Sequence, residues 1–183
     1  MSIWTYQRNI VWQNNTNLWS DVVSKAPHNY RAHNNLGNAL YKQGRTAGAI
    51  EHYLQALRIK PDYVNAHYNL GNALYKQGRT AEAIEYYLQA LRIKPDFEEA
   101  HYNLGNALYK QGRTAEAIEY YLQALRIKPD FEKAHNSLAI ALFRKGNIEG
   151  AIVHFRKALR INPGYVDAKN NLKKALMMQQ QKQ

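Results

Sequence analysis

The sequence predicts an all-α protein in which helix-turn-helix repeats stack into a right-handed α-α superhelix with helical caps. The 183-residue chain repeats itself with a period of 34 residues, and residues 64–97 and 98–131 are identical at 32 of 34 positions. Within each repeat, apolar and small residues recur at helical spacing in two separate stretches. Each helix pair can bury its apolar face only against its neighbours, so a stack of repeats is expected.

The predicted domain organisation follows the repeat. Four full repeats, each with a first and a second helix, are expected at residues 30–63, 64–97, 98–131 and 132–165. Residues 1–29 are predicted to be a degenerate N-terminal repeat or cap, because Leu18, Trp19 and Val22 form an apolar stripe there. Residues 166–183 are predicted to form a C-terminal capping helix and a polar tail.

The helix boundaries are predicted from turn and capping residues. Gly78 is expected to leave the right-handed helical region between the two helices of its repeat, and Thr80 is expected to cap the second helix. Pro95 is expected to end that helix. Asp96, followed three residues later by Glu99, predicts a capping box for the next repeat.

The composition excludes several classes of function. The chain has no cysteine, which excludes disulfide scaffolds, thiol catalysis and cysteine-ligated metal centres. Lys and Arg number 25 against 14 Asp and Glu, a net charge of +11, so acidic partners have to be considered. No apolar run approaches the ~20 residues of a spanning helix, and the start lacks a secretory signal. The expectation is a soluble chain, cytoplasmic as given, or an extramembrane domain if it is excised from a membrane protein.

The repeats resemble the tetratricopeptide repeat (TPR) family across residues 30–165. In the second repeat the family pattern is met by His67, Leu70, Gly71, Leu74, Ala83, Tyr87, Ala90 and Pro95. Histidine stands for the usual aromatic residue at the fourth position, and Ala139 stands for glycine in the last repeat. The resemblance implies a TPR solenoid whose concave surface binds partner proteins.

The N-terminal segment carries a second resemblance. Residues 8–12 and 18–23, with Pro27 and the Asn-Leu-Gly at 35–37, resemble the junction that leads into the soluble TPR domain of membrane-anchored O-mannosyltransferase-like proteins. This resemblance implies that the chain is an extramembrane domain separated from a catalytic part.

One face of each first helix is predicted to form a binding groove. Positions 2, 5, 6, 9, 12 and 13 of each repeat share that face at helical spacing, and the TPR family presents it on the concave surface. The face is rich in asparagine and tyrosine. The candidate peptide-binding residues are Asn35, Asn38, Tyr41, Tyr68, Asn69, Asn72, Tyr75, Tyr102, Asn103, Asn106 and Tyr109, and the candidate groove edge is Lys42, Lys76, Lys110 and Arg144.

The asparagines suggest how the groove would bind a chain of any sequence. An Asn amide donates and accepts, so a ladder of amides can bond to the backbone of an extended peptide. The groove resembles the TPR domain of the O-linked N-acetylglucosamine transferases, and this implies such a role for Asn35, Asn69 and Asn103, ending at Ser137. The alternative is that these amides bond to neighbouring helices or to water.

No catalytic site, metal or cofactor is predicted. His33, His67, His101 and His135 are one repeat apart, ~10 Å if helix layers pack at usual distances. Zinc needs its ligands at ~2 Å, so these side chains cannot share one ion and are expected to be packed interface residues. The edge cations form a line only one residue wide, so nucleic acid is not the expected partner.

The predicted function is that of a non-enzymatic scaffold. It would bind an extended segment of a partner protein, neutral to mildly acidic, in the groove. The chain itself is expected not to insert into membranes and to be a monomer or to self-associate weakly. Two alternatives stay open: an acceptor-recruiting accessory domain of a larger membrane glycosyltransferase, and a self-assembling structural array.

Overall fold

The computed structural model describes residues 15–181, which form ten α-helices and no β-strand. The chain divides into two compact units, residues 1–93 and 94–183. In the first unit the helices are α1 Asn15–Lys25, α2 Tyr30–Lys42, α3 Thr46–Ile59, α4 Val64–Lys76 and α5 Thr80–Ile93. In the second unit they are α6 Glu98–Lys110, α7 Thr114–Ile127, α8 Glu132–Arg144, α9 Ile148–Ile161 and α10 Val166–Gln180.

Both units are built from helix pairs joined by tight turns. In the first unit α2 packs against α3, α4 packs against α5, and α3 joins the two pairs by packing against α4. In the second unit the pairs are α6 with α7 and α8 with α9, joined through α7 and α8. The helix α1 packs against α2, and α10 packs against α9. Residues 1–14 of the predicted N-terminal cap lie outside the described residues.

The turn inside each repeat is made as predicted by a glycine, but the predicted threonine cap is wrong. Gly78 has φ +80°, a left-handed conformation that favours glycine. Thr80 is the first residue of α5, and its hydroxyl donates to the carbonyl of Gly78 at 3.3 Å instead of accepting from the helix. A side-chain cap does occur in the last repeat, where Asn147 Oδ1 accepts from the Gly150 N–H at 2.9 Å.

The predicted capping box between repeats is also wrong. The N-cap of α6 is Phe97, and no side chain makes a cap hydrogen bond there. Asp96 lies one residue too early because it belongs to the turn that follows α5. The connection is held instead by His101, whose Nε2 donates to the carbonyl of Pro95 at 2.8 Å.

A first-helix glycine and a second-helix tyrosine pack closely inside the repeat. A Cβ atom on Gly71 would lie 2.7 Å from Cε1 of Tyr87, a ring that is 1% exposed. The Tyr87 hydroxyl donates to Asn72 Oδ1 at 2.8 Å, which holds the ring in this position and satisfies a buried polar group.

The last repeat replaces all three members of this arrangement. Ala139, Ile140 and Phe155 stand where Gly71, Asn72 and Tyr87 stand, and they pack in one hydrophobic cluster. Leu172 and Leu176 of α10 pack against the same cluster. The glycine, the asparagine and the tyrosine hydroxyl are therefore one packing unit, and the last repeat has exchanged the whole unit for an apolar one.

We expect Gly71→Ala to destabilise the chain by about 1–3 kcal/mol, because the added methyl group overlaps a ring that its hydroxyl holds in place. The triple variant Gly71→Ala, Asn72→Ile, Tyr87→Phe copies the last repeat and should recover most of that loss. Urea unfolding followed by circular dichroism measures both effects. A triple variant less stable than Gly71→Ala alone would contradict the coupling.

Candidate functional site

In the first unit, three amides on α2 and α4 are joined by hydrogen bonds. Asn69 Nδ2 donates to Asn34 Oδ1 at 2.9 Å, and Asn34 Nδ2 donates to Asn35 Oδ1 at 3.5 Å. Asn34 is buried, whereas Asn35 and Asn69 are half-buried. The contact between α4 and α2 uses one donor of Asn69 and the acceptor of Asn34, and the contact within α2 uses the acceptor of Asn35. Within residues 15–181 these contacts leave the Asn35 Nδ2 group and the Asn69 Oδ1 atom for other partners.

A predicted edge cation covers a predicted groove tyrosine in the same unit. Lys76 Nζ lies 4.6 Å from the centre of the Tyr41 ring, a cation–π contact between successive repeats. Burial raises the pKa of Tyr41 above its usual value, so its hydroxyl stays protonated and able to donate. The four edge cations are all exposed: Lys42, Lys76, Lys110 and Arg144.

The asparagines at the ninth position serve the core. Asn38 Oδ1 accepts from the Tyr53 hydroxyl at 2.8 Å, just as Asn72 accepts from Tyr87. Burial raises the pKa of both tyrosines, which keeps the hydroxyls as donors. The Tyr68 ring packs 6.2 Å from the Tyr87 ring on the same side. These asparagines therefore have a structural role whether or not a peptide also contacts them.

The second unit repeats this arrangement. The Tyr102 ring lies 6.1 Å from the Tyr121 ring and 5.0 Å from the Phe131 ring. The Tyr121 hydroxyl donates to Asn106 Oδ1 at 2.9 Å. Asn103 is half-buried and takes part in an interaction within the chain. Tyrosine and asparagine thus share the first-helix face, with Asn106 fixed by the core.

The amide surface changes character toward the last repeat. The Arg144 guanidinium lies 5.3 Å from the centre of the Tyr109 ring, so the edge cation again covers a tyrosine of the preceding repeat. Asn136 is buried, and its Nδ2 donates to the Tyr165 hydroxyl at 3.4 Å. This asparagine therefore bonds within the second unit.

Some of the histidines form pairs that were not predicted from the sequence. Two of the four repeats contain imidazole pairs, with His33 Nδ1 3.1 Å from His52 Nδ1 and His135 Nδ1 2.9 Å from His154 Nδ1. In the two middle repeats, tyrosine replaces the second histidine and the rings lie 6.0 Å apart, in the pairs His67–Tyr86 and His101–Tyr120. The signal was present in the sequence, because position 23 is His only in the first and last repeats.

The pair His135–His154 is held largely neutral. His135 Nε2 donates to the Pro129 carbonyl at 3.0 Å, so the neutral ring presents Nδ1 as an acceptor toward His154. Burial, with a contribution from His135 and Lys157, lowers the pKa of His154 to about 4. Burial also lowers the pKa of His52 and of His135. Among the described residues there is no group of three or more side chains able to hold a metal ion.

Family models match most of the chain. A model described as TPR repeat matches residues 37–78, 71–112 and 105–146, and a model described as tetratricopeptide repeat matches residues 132–165. The chain belongs to the tetratricopeptide repeat family. The predicted all-α TPR fold is confirmed, and a TPR fold is typical of non-enzymatic protein-interaction scaffolds.

Solved structures support the same fold. The crystal structure of MamA is similar with a TM-score of 0.78 and 26% identity, covering 89% of this chain and 96% of that one. YrrB, described as a TPR protein with an unusual peptide-binding site, has a TM-score of 0.76 at 21% identity, covering 88% of this chain and 84% of its own. At that identity YrrB shows a shared fold alone.

A curated relative bears out the predicted likeness to O-mannosyltransferases. The human protein O-mannosyl-transferase TMTC1 is 36% identical over 61 residues, which is 33% of this chain and 7% of the relative. The chain therefore corresponds to a small part of that protein's length. Across residues 15–181, no helix is both long enough and apolar enough to cross a membrane.

We expect acid to destabilise the chain between pH ~6.5 and ~4, and His154→Tyr to make this loss shallower. An unfolded histidine takes up a proton near pH ~6.5, whereas folded His154 resists it down to about 4. Stability is therefore full above the unfolded pKa and falls on acidification. The substitution copies Tyr86 and Tyr120, and melting temperatures from pH 7 to 4.5 measure it.

The exposed His28 provides the control. His28→Gln should keep the pH profile of the parent. Superimposable profiles for the parent and His154→Tyr would contradict the assignment of this acid sensitivity to the imidazole pair.

Proposed function

We propose that this chain is a protein-interaction scaffold that binds an extended peptide segment of a partner on the asparagine and tyrosine face of its first helices. The proposal applies to each unit separately. The face of the first unit comprises Asn35, Asn38, Tyr41, Tyr68, Asn69, Asn72 and Tyr75, and that of the second unit comprises Tyr102, Asn103, Asn106 and Tyr109.

The observation that carries the proposal is the hydrogen-bonded chain of Asn69, Asn34 and Asn35, which we call the amide relay. Its two ends present opposite hydrogen-bonding groups, a donor and an acceptor. In the first unit a 2.9 Å hydrogen bond joins Asn69 to Asn34, and Asn34 donates to Asn35 at 3.5 Å, while an amide donor remains on Asn35 and an acceptor on Asn69. An extended backbone offers one N–H and one C=O per residue, so it can meet both. The relay supplies this pair already oriented, which lowers the entropy lost on binding.

The tyrosines add contact area, and the edge cations add a preference for the charge of the ligand. Tyrosine provides a flat surface and a hydroxyl at low conformational cost. Lys76 and Arg144 lie over Tyr41 and Tyr109, where they favour a ligand that is neutral to mildly acidic. Affinity from one face is expected to be modest and to rise when partner segments engage both units. The fold shared with the peptide-binding protein YrrB supports this proposal.

The match to TMTC1 favours a second candidate, an accessory domain that recruits acceptor proteins to a membrane glycosyltransferase. In that setting the same face would bind the acceptor chain. The ligands would then be segments rich in Ser and Thr, because these residues carry the hydroxyl that receives an O-linked sugar.

The test is a peptide-library selection against the parent and a four-substitution variant, Asn35→Ala, Tyr41→Ala, Asn103→Ala and Tyr109→Ala. We call it the face variant. The matched control removes two tyrosines and two amides from the second helices: Tyr86→Ala, Gln89→Ala, Tyr120→Ala and Gln123→Ala. We expect enriched peptides to bind the face variant at least about tenfold more weakly than the parent, a change of ~1.4 kcal/mol.

The control should bind as the parent does, after circular dichroism has established that both variants are folded. Peptides rich in Ser and Thr among those enriched would support the accessory-domain candidate. Enrichment that survives in the folded face variant, or that is lost in the control, would refute the assignment of binding to the first-helix face.

A further inference from the structure

The second unit contains a cavity of about 570 Å³ that lies away from the asparagine and tyrosine face. Side chains of the second helices α7 and α9 and of the turn after α7 line it. Leu125 is buried, whereas Leu122 and Ile161 are 45% and 37% exposed and present apolar surface. A volume of this size lies within the range of pockets that bind small ligands, ~300–1,000 Å³.

The rest of the lining is mainly cationic. Arg126, Lys157 and Arg160 line the cavity together with a single acidic residue, Asp130. The His135–His154 pair also lines it. The positive charges of Lys157 and Arg160 help to lower the pKa of His135, so both lie close enough to act on this imidazole. The cavity thus combines an apolar surface with an excess of positive charge.

One of these cations is a departure of the last repeat from the other three. Lys157 stands where Gln55, Gln89 and Gln123 stand in the others. The helix Ile148–Ile161 carries one acidic residue and three cations, whereas the equivalent Thr114–Ile127 carries two acidic residues and one cation.

His154 also affects the space available in the cavity. In the two middle repeats the larger phenol rings of Tyr86 and Tyr120 occupy the position of His154, with their centres 6.0 Å from that of the first-helix histidine ring. The smaller imidazole ring of His154 fills less space at this position. Among the four repeats, only the last combines a histidine at this position with a cation three residues later.

We propose that this cavity binds an acidic peptide segment that carries a large apolar side chain. The apolar side chain inserts between Leu122 and Ile161, and flanking carboxylates pair with Lys157 and Arg160. Complementary charge selects the acidic segment. Burial of the inserted side chain against the apolar surface stabilises the complex. A nucleic acid fits less well, because its binding needs a longer line of cations than this cavity offers.

The probe is a fluorescein-labelled hexapeptide, Glu-Leu-Glu-Glu-Leu-Glu, with binding followed by fluorescence anisotropy. The parent should bind it at least about tenfold more tightly than Gln-Leu-Gln-Gln-Leu-Gln or Glu-Ala-Glu-Glu-Ala-Glu, which remove the charge and the apolar side chains respectively. Lys157→Gln and His154→Tyr should each weaken binding by at least about fivefold. Both substitutions restore residues of the middle repeats, so the fold is expected to tolerate them.

Two controls separate the cavity from general charge and from the proposed first-helix face. Lys174→Gln makes the same charge change at an exposed residue of α10 outside the cavity lining and should leave binding unchanged. The face variant should also bind the hexapeptide normally. Equal weakening by Lys174→Gln, no effect of Lys157→Gln, or displacement of the peptide by an oligouridine that itself depends on Lys157 would overturn the proposal.

Discussion

The close approach of a second-helix tyrosine to a first-helix glycine is the constraint on which the first three repeats depend. With Gly71 directly under Tyr87, the two helices come nearer than any side chain at that position would allow. The phenol ring is then buried, and its hydroxyl has to find a partner inside the repeat. Asn72, the next residue of the first helix, supplies the acceptor.

This constraint divides the asparagines of the first helices into two classes. Asn38, Asn72 and Asn106 face the groove side in a helical projection, yet each accepts from a buried tyrosine hydroxyl. Asn35 and Asn69 lie on the same helices without such a partner and belong to the amide relay. The first class binds tyrosine hydroxyls within the helix pair, and the second class is the one that we propose to orient a ligand.

Much of the fold was predictable because the same pattern recurs every 34 residues. The period, the turn glycine with its positive φ and the proline at the repeat boundary follow from local rules that act within a few residues. The caps were mispredicted because Thr80 and Asp96 fit capping patterns in sequence, while the turn geometry places them one residue away from the N-cap. Sequence patterns locate a cap only within a residue or two.

The sequence placed the asparagines of the candidate site on one helix face, but it did not predict their contacts. Helical spacing put Asn35, Asn38 and Asn69 on one side, but it could not distinguish an amide bound to a tyrosine from one in a relay. That distinction depends on contacts 15 or 35 residues apart in sequence. The His135–His154 pair was overlooked for a similar reason, because its partners are 19 residues apart and meet only when the helices pack.

The central claim is that two classes of asparagine share the first-helix face and that the class of Asn35 and Asn69 orients the ligand. Side-chain amide signals in a ¹⁵N–¹H correlation spectrum, recorded while a selected peptide is added, test it most directly. The account predicts that the signals of Asn35 and Asn69 move on binding, while those of Asn38, Asn72 and Asn106 keep their positions. Movement confined to the tyrosine-bound asparagines, with Asn35 and Asn69 unchanged, would contradict it.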